Sequence, residues 1–115
     1  MSNSSPARRI PVLIALFLTA ICQSPAATVI WTNTAGGNWN NTNNWSPNTV
    51  PASGDTVFIT NAGTYTVTLN IGATLAALTV GGNGGGTQTL AKAGFTLTLD
   101  GASYFGTNGV FALDS

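Results

Sequence analysis

The chain has no histidine and no glutamate, and Cys22 is its only cysteine. Arginine occurs only at Arg8 and Arg9, and lysine only at Lys92. Charged residues make up 5% of the 115 residues, against about 25% in an ordinary soluble domain. These absences exclude most site chemistry. Without His there is no Ser-His-Asp triad, and without His or a pair of Cys there is no zinc site of the usual kind. The carboxylates are Asp55, Asp100 and Asp114, too scattered in sequence to form an acid/base pair or an oxygen-rich metal cage. No basic cluster lies beyond the first 26 residues, so neither nucleic acid nor an anionic membrane is an expected partner. The expectation is a protein that is not an enzyme, with no catalytic residue, no metal site and no cofactor.

The first 26 residues read as a secretory signal peptide. Arg8 and Arg9 form the charged n-region, and an apolar run follows from Ile10 to Ile21. That run is shorter than the roughly 20 apolar residues a spanning helix needs, so no stable membrane span is expected once the leader is gone. Cleavage after Ala26 places Ala26 and Ser24 at the −1 and −3 positions. Cleavage after Ala27 would place Pro25 at −3, which is less favourable. The expected mature chain therefore begins at Ala27. It has no cysteine, because Cys22 leaves with the leader, and no disulfide supports it. Export to the cell surface, the extracellular space or the periplasm is the expected localisation.

What the chain does have is Asn, Thr, Gly and short alternating apolar runs. Thr and Val favour strands, while Gly and Asn favour turns. TVIWT (28–32) is a short β-like run, and a polar loop follows over Asn33–Asn44. Ser46-Pro47-Asn48 and Pro51–Asp55 are turn signals. Strands are expected over TVFIT (56–60), YTVTLN (65–70), TLAALTV (74–80), TQTLA (87–91) and FTLTLD (95–100), then at Tyr104-Phe105 and Val110–Leu113. Ile59, Leu69, Val80, Leu90 and Leu99 recur at about ten-residue intervals, a spacing that also suits a β-sandwich. Short strands, single Gly or Asn turns, and the recurring phrases LTVGG and LTLDG favour a coil of stacked strands instead. The expected fold is all-β: an N-terminal Trp/Asn-rich cap over 27–55, then a right-handed parallel β-helix over 56–115. A β-sandwich is the alternative.

The phrase that places Trp39, Asn44-Trp45, Pro51, Asp55 and Val57 in order resembles the start of the passenger region of bacterial autotransporter-associated β-strand repeat proteins. LAALTVGG and FTLTLDG are similar to the strand repeats of the same proteins. The resemblance covers nearly all of the chain after the leader. It implies a surface or secreted β-helix with an adhesive or structural role, commonly within a much longer polypeptide. No translocating barrel or sorting tail follows here, so the chain is expected to be the N-terminal piece of something larger.

Two readings compete for the three tryptophans. Trp31, Trp39 and Trp45, with Asn38, Asn40, Asn41, Asn43 and Asn44 nearby, can present rings for sugars to stack on and amides to read hydroxyls. They can equally form a plug over the open first coil, since an uncapped solenoid exposes core and strand edges, and Trp buries a large area. Position directly before the repeats favours the plug. Asp55 is expected to be a turn residue accepting backbone N–H groups before a strand. Gly81–Gly86 is similar to half of a calcium-binding nonapeptide repeat, but Gly86 stands where that motif puts Asp, and the stretch reads as a flexible turn. Lys92 reads as a solvated loop residue. Asn40-Asn41-Thr42 and Asn44-Trp45-Ser46 match glycosylation sequons incidentally. Function is expected to be adhesive or structural, with surface glycans or self-association through an open strand edge as partners. The alternatives are a carbohydrate-binding module using Trp31, Trp39 and Trp45, or the N-terminal end of a carbohydrate-active β-helix enzyme.

Overall fold

The computed structural model describes residues 26–113. The leader assignment falls on residues outside that range, apart from Ala26, and so does Asp114. The described chain is all-β, with one short 3₁₀ turn over Thr42–Asn44. Eleven strands follow in order: β1 (Thr28–Trp31), β2 (Gly37–Asn38), β3 (Trp45–Ser46), β4 (Thr56–Ile59), β5 (Tyr65–Thr68), β6 (Ala73–Leu75), β7 (Ala77–Val80), β8 (Gln88–Ala91), β9 (Leu97–Leu99), β10 (Ser103–Phe105) and β11 (Gly109–Ala112).

Their pairing defines a parallel β-helix and rules out the sandwich. The first sheet runs β10-β7-β4-β1-β3, the second β11-β8-β5-β2, and the third β6-β9. Each repeat strand pairs in parallel with the strand three places on, so that successive coils stack in register. Val29 aligns with Val57 and Val57 with Leu78, while Ile59 aligns with Val80 and Val80 with Phe105. In the second sheet Val67 aligns with Leu90 and Leu90 with Phe111. The ten-residue rhythm of the sequence is thus half a coil: Ile59 and Val80, two steps apart, are neighbours in one ladder.

Alternation explains how the coil fills. Burial alternates along β1, β4, β5, β7 and β8, as the two-residue period of a strand requires. The inward set is Val29, Trp31, Val57, Ile59, Tyr65, Val67, Leu75, Leu78, Val80 and Leu90, joined by Trp39, Trp45 and Leu69. Outward positions carry Thr in register on all three sheets: Thr28 with Thr56, Thr66 with Thr89, and Thr74 with Thr98.

The structure differs from the sequence reading in where its strands lie. The run over 74–80 is two strands in different sheets, β6 and β7, turning at Ala76, whose N–H donates to the Asp55 carbonyl at 2.9 Å. The Asn33–Asn44 stretch is not all loop: β2 pairs with β5 there. Within the segment 27–55, β1 and β2 pair in parallel with β4 and β5, and β3 turns back antiparallel onto β1.

Candidate functional site: the tryptophan cap

The cap is built where the chain doubles back over its first coil. β3 pairs antiparallel with β1 on the side opposite β4, placing Trp31 across from Trp45. All three indoles are buried, at 0% exposure for Trp31 and Trp39 and 1% for Trp45. They pack edge to face: Trp31 and Trp45 have ring centroids 4.9 Å apart at 90°, and Trp39 and Trp45 4.9 Å apart at 73°. That is the preferred geometry for rings whose faces are negative and edges positive. No indole face is left to solvent for a sugar ring to stack on. Trp31 Nε1 donates to the Asn33 carbonyl at 2.6 Å, and Trp45 Nε1 to the Trp39 carbonyl at 2.8 Å. Trp39 Nε1 has no hydrogen-bond partner among the described residues.

The surrounding amides hold the cap's own backbone. Asn44, 4% exposed, donates from Nδ2 to the Asn38 carbonyl at 3.0 Å and accepts from Asn33 Nδ2 at 2.8 Å. The Asn44 carbonyl accepts from the Thr32 N–H at 2.8 Å, which closes the cap onto β1. Asn41 caps the 3₁₀ turn by accepting from the Asn43 N–H at 3.0 Å. Asn40 locks to the next coil through Asn70: the Asn40 N–H donates to Asn70 Oδ1 at 3.1 Å, and Asn70 Nδ2 donates to Asn40 Oδ1 at 2.9 Å. Asn61 Nδ2 donates to the Trp31 carbonyl at 2.7 Å. Asn40, Asn41 and Asn44 are therefore committed to structure, while Asn38 and Asn43 enter these contacts through their backbones. Close packing requires glycine beneath: a Cβ on Gly36, at φ +85°, would lie 2.7 Å from the Thr66 carbonyl oxygen.

Asp55 is the turn residue expected, and more. Its Oδ2 accepts from the Ala52 N–H at 2.8 Å and its Oδ1 from the Ala27 N–H at 3.0 Å. The carboxylate thus ties the turn before β4 to the residue preceding β1, and Asp55 is 6% exposed. Lys92 directs Nζ to the Phe95 carbonyl at 2.9 Å.

Gln88 was not singled out by the sequence. It is fully buried and organises the glycine loop 81–86, which is therefore not a free turn. Its Oε1 accepts from the Gly82 N–H at 2.9 Å, and its Nε2 donates to the carbonyls of Gly63 at 2.7 Å and Gly85 at 3.1 Å. The available signal was its place two residues before Leu90, on the inward face of β8. Tyr65 stacks in the same ladder and donates its phenol to the Asn61 carbonyl at 2.8 Å. Burial pushes its pKa above the ordinary tyrosine value.

Fold and cap together define a parallel β-helix closed at its N-terminal end by a tryptophan plug. Comparison with protein-family models, with curated proteins and with solved structures returns no match.

Proposed function

We propose that the chain is an exported, non-catalytic β-helix segment with a structural or adhesive role at the cell surface or in the secreted fraction. The observation that carries this reading is the tryptophan cap. The residues richest in binding potential are consumed in closing a solenoid, while the outward faces repeat Thr from coil to coil. A repeating hydroxyl-bearing surface on a rigid scaffold suits many weak, parallel contacts, whose strength comes from multiplicity. The leader-like N-terminus supports export, and the resemblance to autotransporter-associated β-strand repeat proteins supports a surface role. Surface glycans are the proposed partners of the Thr/Asn faces.

The test is to express the 115-residue chain in a bacterial host and follow it by fractionation, then titrate the purified product with a glycan panel while recording tryptophan emission. Recovery outside the cytoplasm, with blue-shifted emission that glycans leave unchanged, is the expected result. Cytoplasmic retention of the intact chain would overturn the export reading. A saturable emission change on glycan addition would move the function to a carbohydrate-binding module built on Trp31, Trp39 and Trp45.

A further inference from the structure

Asp55 carries more than a turn. Its carboxylate is almost wholly buried, at 6% exposure, and among the described residues its hydrogen-bond donors are the neutral Ala27 and Ala52 N–H groups. A buried carboxylate held by neutral donors alone is costly, and a cationic donor is the usual remedy. One of its two donors is the nitrogen of the residue expected to begin the mature chain. We propose that removal of the leader after Ala26 turns the Ala27 nitrogen into an α-ammonium that forms an ion pair with Asp55, so that processing itself locks the first strand into the coil. The proposal rests on the export reading above.

The geometry is prepared for this exchange. The Ala27 carbonyl accepts from the Thr56 N–H at 2.9 Å, so Ala27 is fixed by its own carbonyl whatever precedes it. Asp55 is oriented from its other side by Ala52, with Oδ2 on the Ala52 N–H and the Asp55 N–H donating to the Ala52 carbonyl at 3.0 Å. Its Oδ1 is left aimed at the Ala27 nitrogen. Ala26 is exposed, so its removal uncovers nothing in the core. The amide N–H already meets a charged acceptor, and replacing it by an ammonium at the same position makes both partners charged and adds their Coulomb attraction to the bond. Cutting one residue later would delete the nitrogen that Asp55 holds, leaving the carboxylate buried with one donor.

Two measurements test the pair. The N-terminal residue of the exported product is determined first, with Ala27 the expected start. A start at Thr28 or elsewhere overturns the proposal while leaving export intact, whereas a retained leader overturns both. The rate at which an amine-selective reagent labels the α-amine at neutral pH is then compared between native protein, protein unfolded in urea, and the Asp55→Asn variant. Labelling is expected to be several-fold slower in the native protein than in either other sample. Should Asp55→Asn fail to fold, the native-to-unfolded comparison alone decides. Equal rates in those two states overturn the ion pair.

Discussion

Trp45 is the residue on which the cap turns, since it touches both other indoles and its own N–H is satisfied by the Trp39 carbonyl. Trp45→Ala removes a fully buried ring and leaves Trp31 and Trp39 facing a void. The expected loss is about 3–5 kcal/mol of unfolding free energy, the range for large aromatics truncated in a core, read from urea unfolding followed by circular dichroism. Tyr65 supplies a pH-dependent counterpart. Its folded pKa is raised by burial, so the native state holds the phenolic proton more tightly than the unfolded chain, whose tyrosine titrates near pH 10. Stability is therefore intact below that pH and declines as pH rises toward the folded value. Tyr65→Phe is expected to remove this alkaline decline while losing the bond to the Asn61 carbonyl, a cost of about 0.5–1.5 kcal/mol at neutral pH. Thermal melts of both proteins across the alkaline range check it. At this scale the tryptophans were legible because an N-terminal plug is a physical need of a solenoid. Gln88 was not, because an isolated Gln in a Thr-rich strand gives no sign that three loop backbone groups converge on it.

Strand existence was legible from alternation, and sheet membership was not. In TLAALTV the inward residues are Leu75, Leu78 and Val80. The spacing slips from two to three across Ala76, which is the mark of a corner without Gly or Pro. The β2 strand escaped notice because Gly37 and Asn38 have neither β-branching nor apolar alternation, and only pairing with Val67 and Thr68 makes them a strand. Coil-to-coil contact is set by the glycine loop, where two neighbours separate backbone conformation from space. Gly85 has φ +103° with nothing near a Cβ, whereas Gly86 has φ +80° and a Cβ there would lie 2.4 Å from the Gly63 carbonyl carbon. Gly85→Ala is expected to cost about 1–2 kcal/mol, the left-handed penalty alone. Gly86→Ala carries that penalty and must also push two coils apart, so its unfolding midpoint should fall further. Parallel urea titrations of the two variants give the ranking, and equal losses would show that the loop yields without disturbing the coil beneath.

Across the described residues the first and last coils are unlike. At the start, β3 and three buried indoles close the stack, and β3 is only two residues long and followed directly by Pro47. A short strand stopped by proline is a poor template for another chain. At the other end β10 and β11 are the outermost strands of their sheets. Phe105 and Phe111 stack there, with centroids 5.5 Å apart at 17°, but both are only partly buried. Leu97 and Leu99 are likewise half-covered, and Leu113 is exposed. Regular strands with a half-covered apolar layer and no lysine at the edge meet the conditions for edge pairing. The purified 115-residue product is therefore expected to self-associate with rising concentration. The joint should involve this end and stay closed rather than grow into a fibre, because the opposite end cannot serve as its complement. Tyr104 and Val110 point outward from β10 and β11 and are 65% and 43% exposed, so lysines there spare the core. The Tyr104→Lys, Val110→Lys double variant should keep its β-sheet circular dichroism and sediment as a monomer at concentrations where the parent forms dimers. A parent that remains monomeric throughout would mean that the twist of the last coil protects its own edge. Open-ended growth would mean that the tryptophan cap does not block its end as its geometry indicates.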